Sequence, residues 1–138
     1  HELFHKIDHT YGISESGILT KAIQQDYKRL QDLATGYGKS IEDMLYFKYP
    51  HIFKNRGRMK EDYRGISDIL HGMTNGSILL GYGHTKNNYW SKKLSLERET
   101  FAQYGRMLYM ENEEVWKVAT GMFPDITNQI NAILRGLE

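Results

Sequence analysis

Apolar residues recur along this chain at intervals of three and four, and that spacing predicts a succession of helices rather than a sheet. A first helix runs from the start to about Tyr11 and stops at Gly12. Ser16 and Gly17 lead into a second, long helix through Ile18, Ala22, Ile23, Tyr27, Leu30 and Leu33, ending near Gly36. Ser40 caps a short helix from Ile41 to about Phe47, with Glu42 and Asp43 in its first turn, and Pro50 closes it. An irregular basic stretch follows, then a helix from Lys60 or Glu61 to Leu70 and a turn over Gly72-Met73-Thr74-Asn75-Gly76. Ser77 to Leu80 reads as a short strand or hairpin arm, and Gly81 and Gly83 mark a loop. Ser95 caps a helix reaching about Met110, with Phe101, Tyr104 and Leu108 on its apolar face. Asn112, Glu113 and Glu114 start the next, which bears Val115, Trp116 and Ala119 and ends at Gly121. Pro124 opens the last, with Ile126, Ile130 and Leu134 inward and Gly136 beyond. The expected fold class is mainly α, or α+β at most, in one domain.

Composition agrees with one globular unit. The chain has 138 residues, of which 40% are hydrophobic and 12% aromatic, enough to build a core. A formal net charge of +1 supplies no global drive toward nucleic acid or an anionic membrane. No apolar run is long enough to span a bilayer. The chain has no cysteine, which excludes disulfides and thiolate zinc sites.

Candidate chemistry changes the picture at the first residue. His1-Glu2-Leu3-Phe4-His5 is an HExxH pentad. Residues four apart on a helix lie on one face, about 6 Å apart along the axis, so two imidazoles can converge on one metal ion. Glu2 then lies beside the metal, where its carboxylate can take a proton from a zinc-bound water. A third ligand is needed. His9 continues the row, but roughly 12 Å of helix separates it from His1, so it cannot join both histidines on one ion. The metzincin pattern requires Gly and His where this chain has Asp8 and Tyr11, which excludes that class. The better candidate is Glu99, in the first turns of the helix after Ser95, with Ala102 three residues on as a small residue that would let another helix lie close. Glu97 lies about 200° around that helix from Glu99, so only one of the two can face the metal.

These segments carry a family resemblance. His1-Glu2-Leu3-Phe4-His5-Lys6-Ile7-Asp8, the stretch Ile66-Ser67-Asp68-Ile69-Leu70 leading to Gly81-Tyr82-Gly83-His84, then Tyr89-Trp90 and Glu99-Thr100-Phe101-Ala102 occur in that order. The succession resembles the zincin-like C-terminal domains of phage minor head, or head morphogenesis, proteins. Those domains look related to the lethal-factor-like and Pro-Pro endopeptidase branch of gluzincins. The resemblance covers roughly the first three quarters of the chain and leaves the last helices unmatched. It implies zinc held by His1, His5 and Glu99, with Glu2 as general base in peptide hydrolysis. Tyr89 would donate to the developing oxyanion, although it precedes Glu99 by ten residues where the relatives have seven; His84 is the rival donor. Asp8 would orient a ligating histidine or pair with Lys6 or another nearby cation. Zincins also place a sheet ahead of the pentad, so the chain reads as the helical, C-terminal part of a longer protein. A peptide or protein substrate is implied, with phage capsid or portal proteins as partners in a virion or host cytoplasm.

The competing expectation is a capsid-assembly or virion accessory module without turnover. Residues 46–60 bear on it: Lys48, Lys54, Arg56, Arg58 and Lys60 alternate with Tyr46, Phe47, Tyr49 and Phe53, a mixture that can grip phosphates and stack bases. The balanced charge favours a solvated loop whose aromatics pack inward, so nucleic acid is not the expected partner. His51 and His71 stand without spaced partners and read as structural or surface residues; Trp90 and Trp116 read as core or groove anchors.

Overall fold

The computed structural model describes residues 2–86 and 88–137 of the chain. Seven α-helices, four short 3-10 turns and one small hairpin make up its regular structure among those residues. They are α1 (Glu2–Tyr11), α2 (Ile18–Gly36), α3 (Ile41–Lys48), β1 (Phe53–Asn55), β2 (Arg58–Met59), α4 (Arg64–Met73), α5 (Ser95–Met110), α6 (Glu113–Met122) and α7 (Pro124–Gly136). The protein is mainly α, as the periodicity predicts.

Two of the expected caps form as the side chains dictate. Ser40 accepts a hydrogen bond from the Asp43 amide, and Asn112 accepts from the amides of Glu114 and Val115. Ser95 does not cap α5. Leu94, at φ 64°, turns the chain into the helix, and Ser95 is its first helical residue. Gly121 does not end α6, which continues to Met122 before Phe123 breaks it.

The strand is displaced from its expected place. Ser77 to Leu80 forms no strand, and the hairpin lies instead within the basic stretch, with Phe53 opposite Met59 and Asn55 opposite Arg58. Phe53 and Met59 both point into the core, and the Asn55 side chain accepts from the Gly57 amide to tighten the turn. Leu80 still runs beside this hairpin, its carbonyl accepting from the Met59 amide at 2.9 Å. The pattern at 53–59 is too short for a period of two to stand out, which is why the sequence reads as irregular there.

α5 is the central helix. It packs against α1 on one side and α4 on the other, and Phe101, Ala102 and Tyr104 on it are fully buried. α4 is enclosed on all sides, with every residue from Gly65 to Met73 buried. α2 and α7 pack as a pair on the flank, joined by Leu19, Ala22, Ile23, Ile126 and Ile130 in the core. Asp26 lies in the same interface, fully buried, and accepts hydrogen bonds from the amides of Asp125 and Ile126 at 3.1 and 2.8 Å. A side chain from α2 thereby caps the start of α7, where Pro124 leaves no amide to satisfy.

Candidate metal centre

α1 and α5 meet through Phe4 and Gly105. A Cβ at Gly105 would fall 2.2 Å from the Phe4 ring, so only glycine lets the helices come this close. Phe4 also packs on Phe101, with ring centroids 4.9 Å apart. Gly105 thus admits α1 against α5, while Ala102 is fully buried on the same helix. Phe4 adjoins His5 in sequence, so the same contact sets the height of His5 along α5.

The consequence is a meeting of residues 94 positions apart in sequence: His5 Nε2 lies 3.4 Å from Glu99 Oε1. Glu97 faces elsewhere and accepts from the Thr20 hydroxyl of α2 at 2.8 Å, so the two acids point apart as the helix geometry requires. Glu99 is buried and His5 half-exposed. Glu2 is the first residue of α1 and is exposed. His1 lies outside the described residues, and its expected place in the ligand set stands on the pentad spacing.

The loop between α4 and α5 brings the other two expected residues to the same carboxylate. The Tyr89 hydroxyl donates to Glu99 Oε1 at 2.6 Å, and His84 Nε2 lies 4.0 Å from that oxygen. The His84 and Tyr89 rings stack, with centroids 4.1 Å apart and planes inclined by 12°. The loop is held by Ser67 of α4, whose hydroxyl donates to the Tyr82 carbonyl at 2.8 Å. Gly83 is required beneath it, because a Cβ there would fall 2.6 Å from the His71 ring. His71 is buried and accepts from the Trp90 indole N–H at 2.7 Å, so it is a structural residue. Burial holds His71 below the usual histidine value, in the neutral form this bond needs. Burial first, and then the Glu99 carboxylate, push the Tyr89 phenol far above the ordinary tyrosine range, so it keeps its proton.

Sequence reasoning missed Asp68. It is buried on α4, with Oδ1 2.7 Å from His84 Nδ1 and Oδ2 accepting from the Gln103 amide at 3.0 Å. Burial pushes its carboxyl above the usual range; the His84 and Gln103 contacts act the other way. On α4 Asp68 falls outside the stripe of Ile66, Ile69, Leu70 and Met73, and in sequence that reads as a solvent face. The available signal was Gln103, which is four residues from Glu99 on α5 and so shares its side. Asp8, by contrast, serves neither expected role. It is buried and accepts from both the backbone amide and the hydroxyl of Ser14, fastening the turn after α1.

No family model matches this chain, and neither does any curated protein or solved structure. The chemistry must be read from the side chains. Asp68, His84 and Glu99 each place a donor atom within 4.8 Å of the others, a grouping able to hold a metal ion. Ligand spacing separates their roles. Two donors on one tetrahedral zinc, each bound at about 2 Å, lie about 3.3 Å apart. The His5–Glu99 separation of 3.4 Å matches that edge, whereas the 2.7 Å between Asp68 and His84 is a hydrogen-bond length.

One cavity adjoins these residues and another lies apart from them. One of about 310 Å³ is bordered by His84, Tyr89, Trp90 and Lys86, beside the candidate centre. A larger one of about 1140 Å³ lies toward the other end of α5, among Tyr49, Met107, Leu108, Trp116 and Val118. It is about 12 Å along the helix from Glu99 and takes no part in the grouping. In the basic stretch, Phe53 is buried and Tyr46 packs edge-on against it, while Arg56 pairs with Asp43 and Arg58 lies over the Tyr82 ring. His51 pairs with Glu114 on the surface.

Proposed function

We propose that this chain is a zinc-dependent peptidase domain of the zincin type, hydrolysing peptide bonds in a protein substrate associated with phage heads. The observation that carries the reading is the 3.4 Å approach of His5 Nε2 to Glu99 Oε1. Two groups from opposite ends of the site's sequence stand at a separation compatible with shared coordination of zinc. His1, His5 and Glu99 would hold the ion. Bound zinc would lower the pKa of a water toward neutrality and polarise the scissile carbonyl.

The protein's own groups divide the rest of the work. Glu2 accepts the attacking water's proton and returns it to the leaving amine, a transfer that suits a carboxylate on the open side of α1. Tyr89 retains its proton throughout the neutral range, so its hydroxyl is a donor for the carbonyl oxygen as negative charge grows there. In the present arrangement that proton goes to Glu99, which holds the carboxylate still until substrate enters. Trp90 and Lys86, on the adjoining cavity, offer an apolar wall and a cation to the substrate chain.

Glu2→Gln tests the assignment directly. Zinc content, measured by elemental mass spectrometry, is expected to stay near the wild-type value while cleavage of a mixed peptide library is lost. A loss of metal together with activity would make Glu2 structural. Zinc binding without any cleavage by the wild type would support the accessory-module reading, and an absence of zinc would remove both metal-dependent accounts.

A further inference from the structure

We infer that His84 is an additional metal ligand of this centre and that Asp68 is the residue that positions it. The inference rests on the zinc reading above and extends it to two residues from α4 and its following loop.

A carboxylate facing Nδ1 accepts a hydrogen bond from it, and in the neutral imidazole the lone pair is then on Nε2. Asp68 Oδ1 stands 2.7 Å from His84 Nδ1, and His84 Nε2 is the atom turned toward Glu99. His84 Nε2 stands 4.0 Å from Glu99 Oε1, beyond hydrogen-bond reach, so the two atoms border one region without bonding directly. His5 Nε2 approaches the same Glu99 oxygen, so the donors of α1, the loop and α5 converge on one region. The 4.0 Å separation exceeds a tetrahedral edge, so an ion about 2 Å from each atom would have to lie nearly on the line between them. A carboxylate held by the far nitrogen of a ligating histidine is the usual outer support of a zinc ligand.

Asp68 is itself built in place. Gln103 donates to its second oxygen at 3.0 Å, from the same face of α5 that carries Glu99. The stacked Tyr89 ring limits rotation of His84 about its side-chain bonds, and Ser67 anchors the backbone just before it. Asp68 on Nδ1 and the stacked Tyr89 ring thus fix the direction in which His84 presents Nε2. Asp68 does not reach the ion in this arrangement, because its near oxygen is already spent on Nδ1.

Equilibrium zinc affinity, by competition with a chromophoric chelator, and the visible spectrum of the cobalt-substituted protein test the inference without reference to activity. His84→Ala is expected to weaken zinc binding at least tenfold and to intensify the cobalt bands, as a lower coordination number does. Asp68→Asn is expected to weaken zinc binding roughly tenfold to a hundredfold, the range seen when an outer support of a ligand is removed. Gln103→Leu, which removes only the support of Asp68, should give a smaller loss of the same sign and guards against a misfolded His84 variant. Wild-type affinity and an unchanged cobalt spectrum in both His84→Ala and Asp68→Asn would overturn the inference. Should His5→Ala abolish binding in that case, the zinc reading would survive without it. A wild type that binds no zinc would remove both.

Discussion

Glu99 Oε1 is the atom on which the site turns. Tyr89 donates to it, and the imidazoles of His5 and His84 approach it from different elements. A carboxylate so placed can serve as a ligand only if its own orientation is held, and the 2.6 Å bond from Tyr89 does that. Tyr89→Phe separates holding from catalysis. If the hydroxyl serves the oxyanion, turnover should fall about 10²- to 10³-fold with zinc affinity nearly unchanged, the loss typical of one such donor. A parallel drop in zinc affinity would confine Tyr89 to steadying Glu99. Asp26 shows the same logic applied to structure, since one buried carboxylate serves two amides of another helix and Arg29 at 2.7 Å. Asp26→Ala should cost about 1–3 kcal/mol, read from the urea midpoint, by stranding two buried donors.

Between elements, the decisive contact is the seating of Phe4 in the gap left by Gly105. It brings α1 against α5 at the height where His5 and Glu99 meet. Adding a methyl at Gly105 would force the ring aside, and with it the helix that carries His5. Gly105→Ala is expected to destabilise the fold by about 1–3 kcal/mol and to weaken zinc binding, although the residue touches no ligand. Pairing it with Phe4→Ala should recover part of the stability, and a double-mutant cycle in urea would measure the coupling. Additive effects would mean that the two helices are held by something else. The enclosed helix α4 acts from the other side, delivering Asp68 through a face that no solvent reaches.

At the scale of the whole molecule, His71 contributes a pH dependence of stability whose sign is fixed. Its value lies below the ordinary 6.5 because burial disfavours the imidazolium, which would also break the bond accepted from Trp90. Between the native value and 6.5 the unfolded chain binds more protons at this site than the folded one, so stability rises with pH there. Acidification from neutrality through that window should therefore lower the melting temperature. His71→Gln should flatten this part of the curve, and an unchanged slope would place the effect on other groups. The loop bearing His84 rests on His71, so the same acidification is expected to loosen the site before the helices on the far flank.

Helical periodicity, the caps at Ser40 and Asn112, and the proline opening α7 are local, and they were legible residue by residue because helix formation is set by neighbours three and four apart. The same local geometry turned Glu97 away from Glu99. The hairpin at 53–59 was hidden because its few residues carry no sustained alternation. Asp68 was hidden for a different reason. Whether the polar side of α4 meets water or another helix depends on what packs over it, and no spacing within α4 records that. Sequence alone determined which helices form and which side chains each presents to one face. Only the tertiary structure decided that α1, α4 and α5 lie close enough for His5, Glu99, His84 and Asp68 to gather, because that proximity rests on contacts such as Phe4 against Gly105 between residues far apart in the chain.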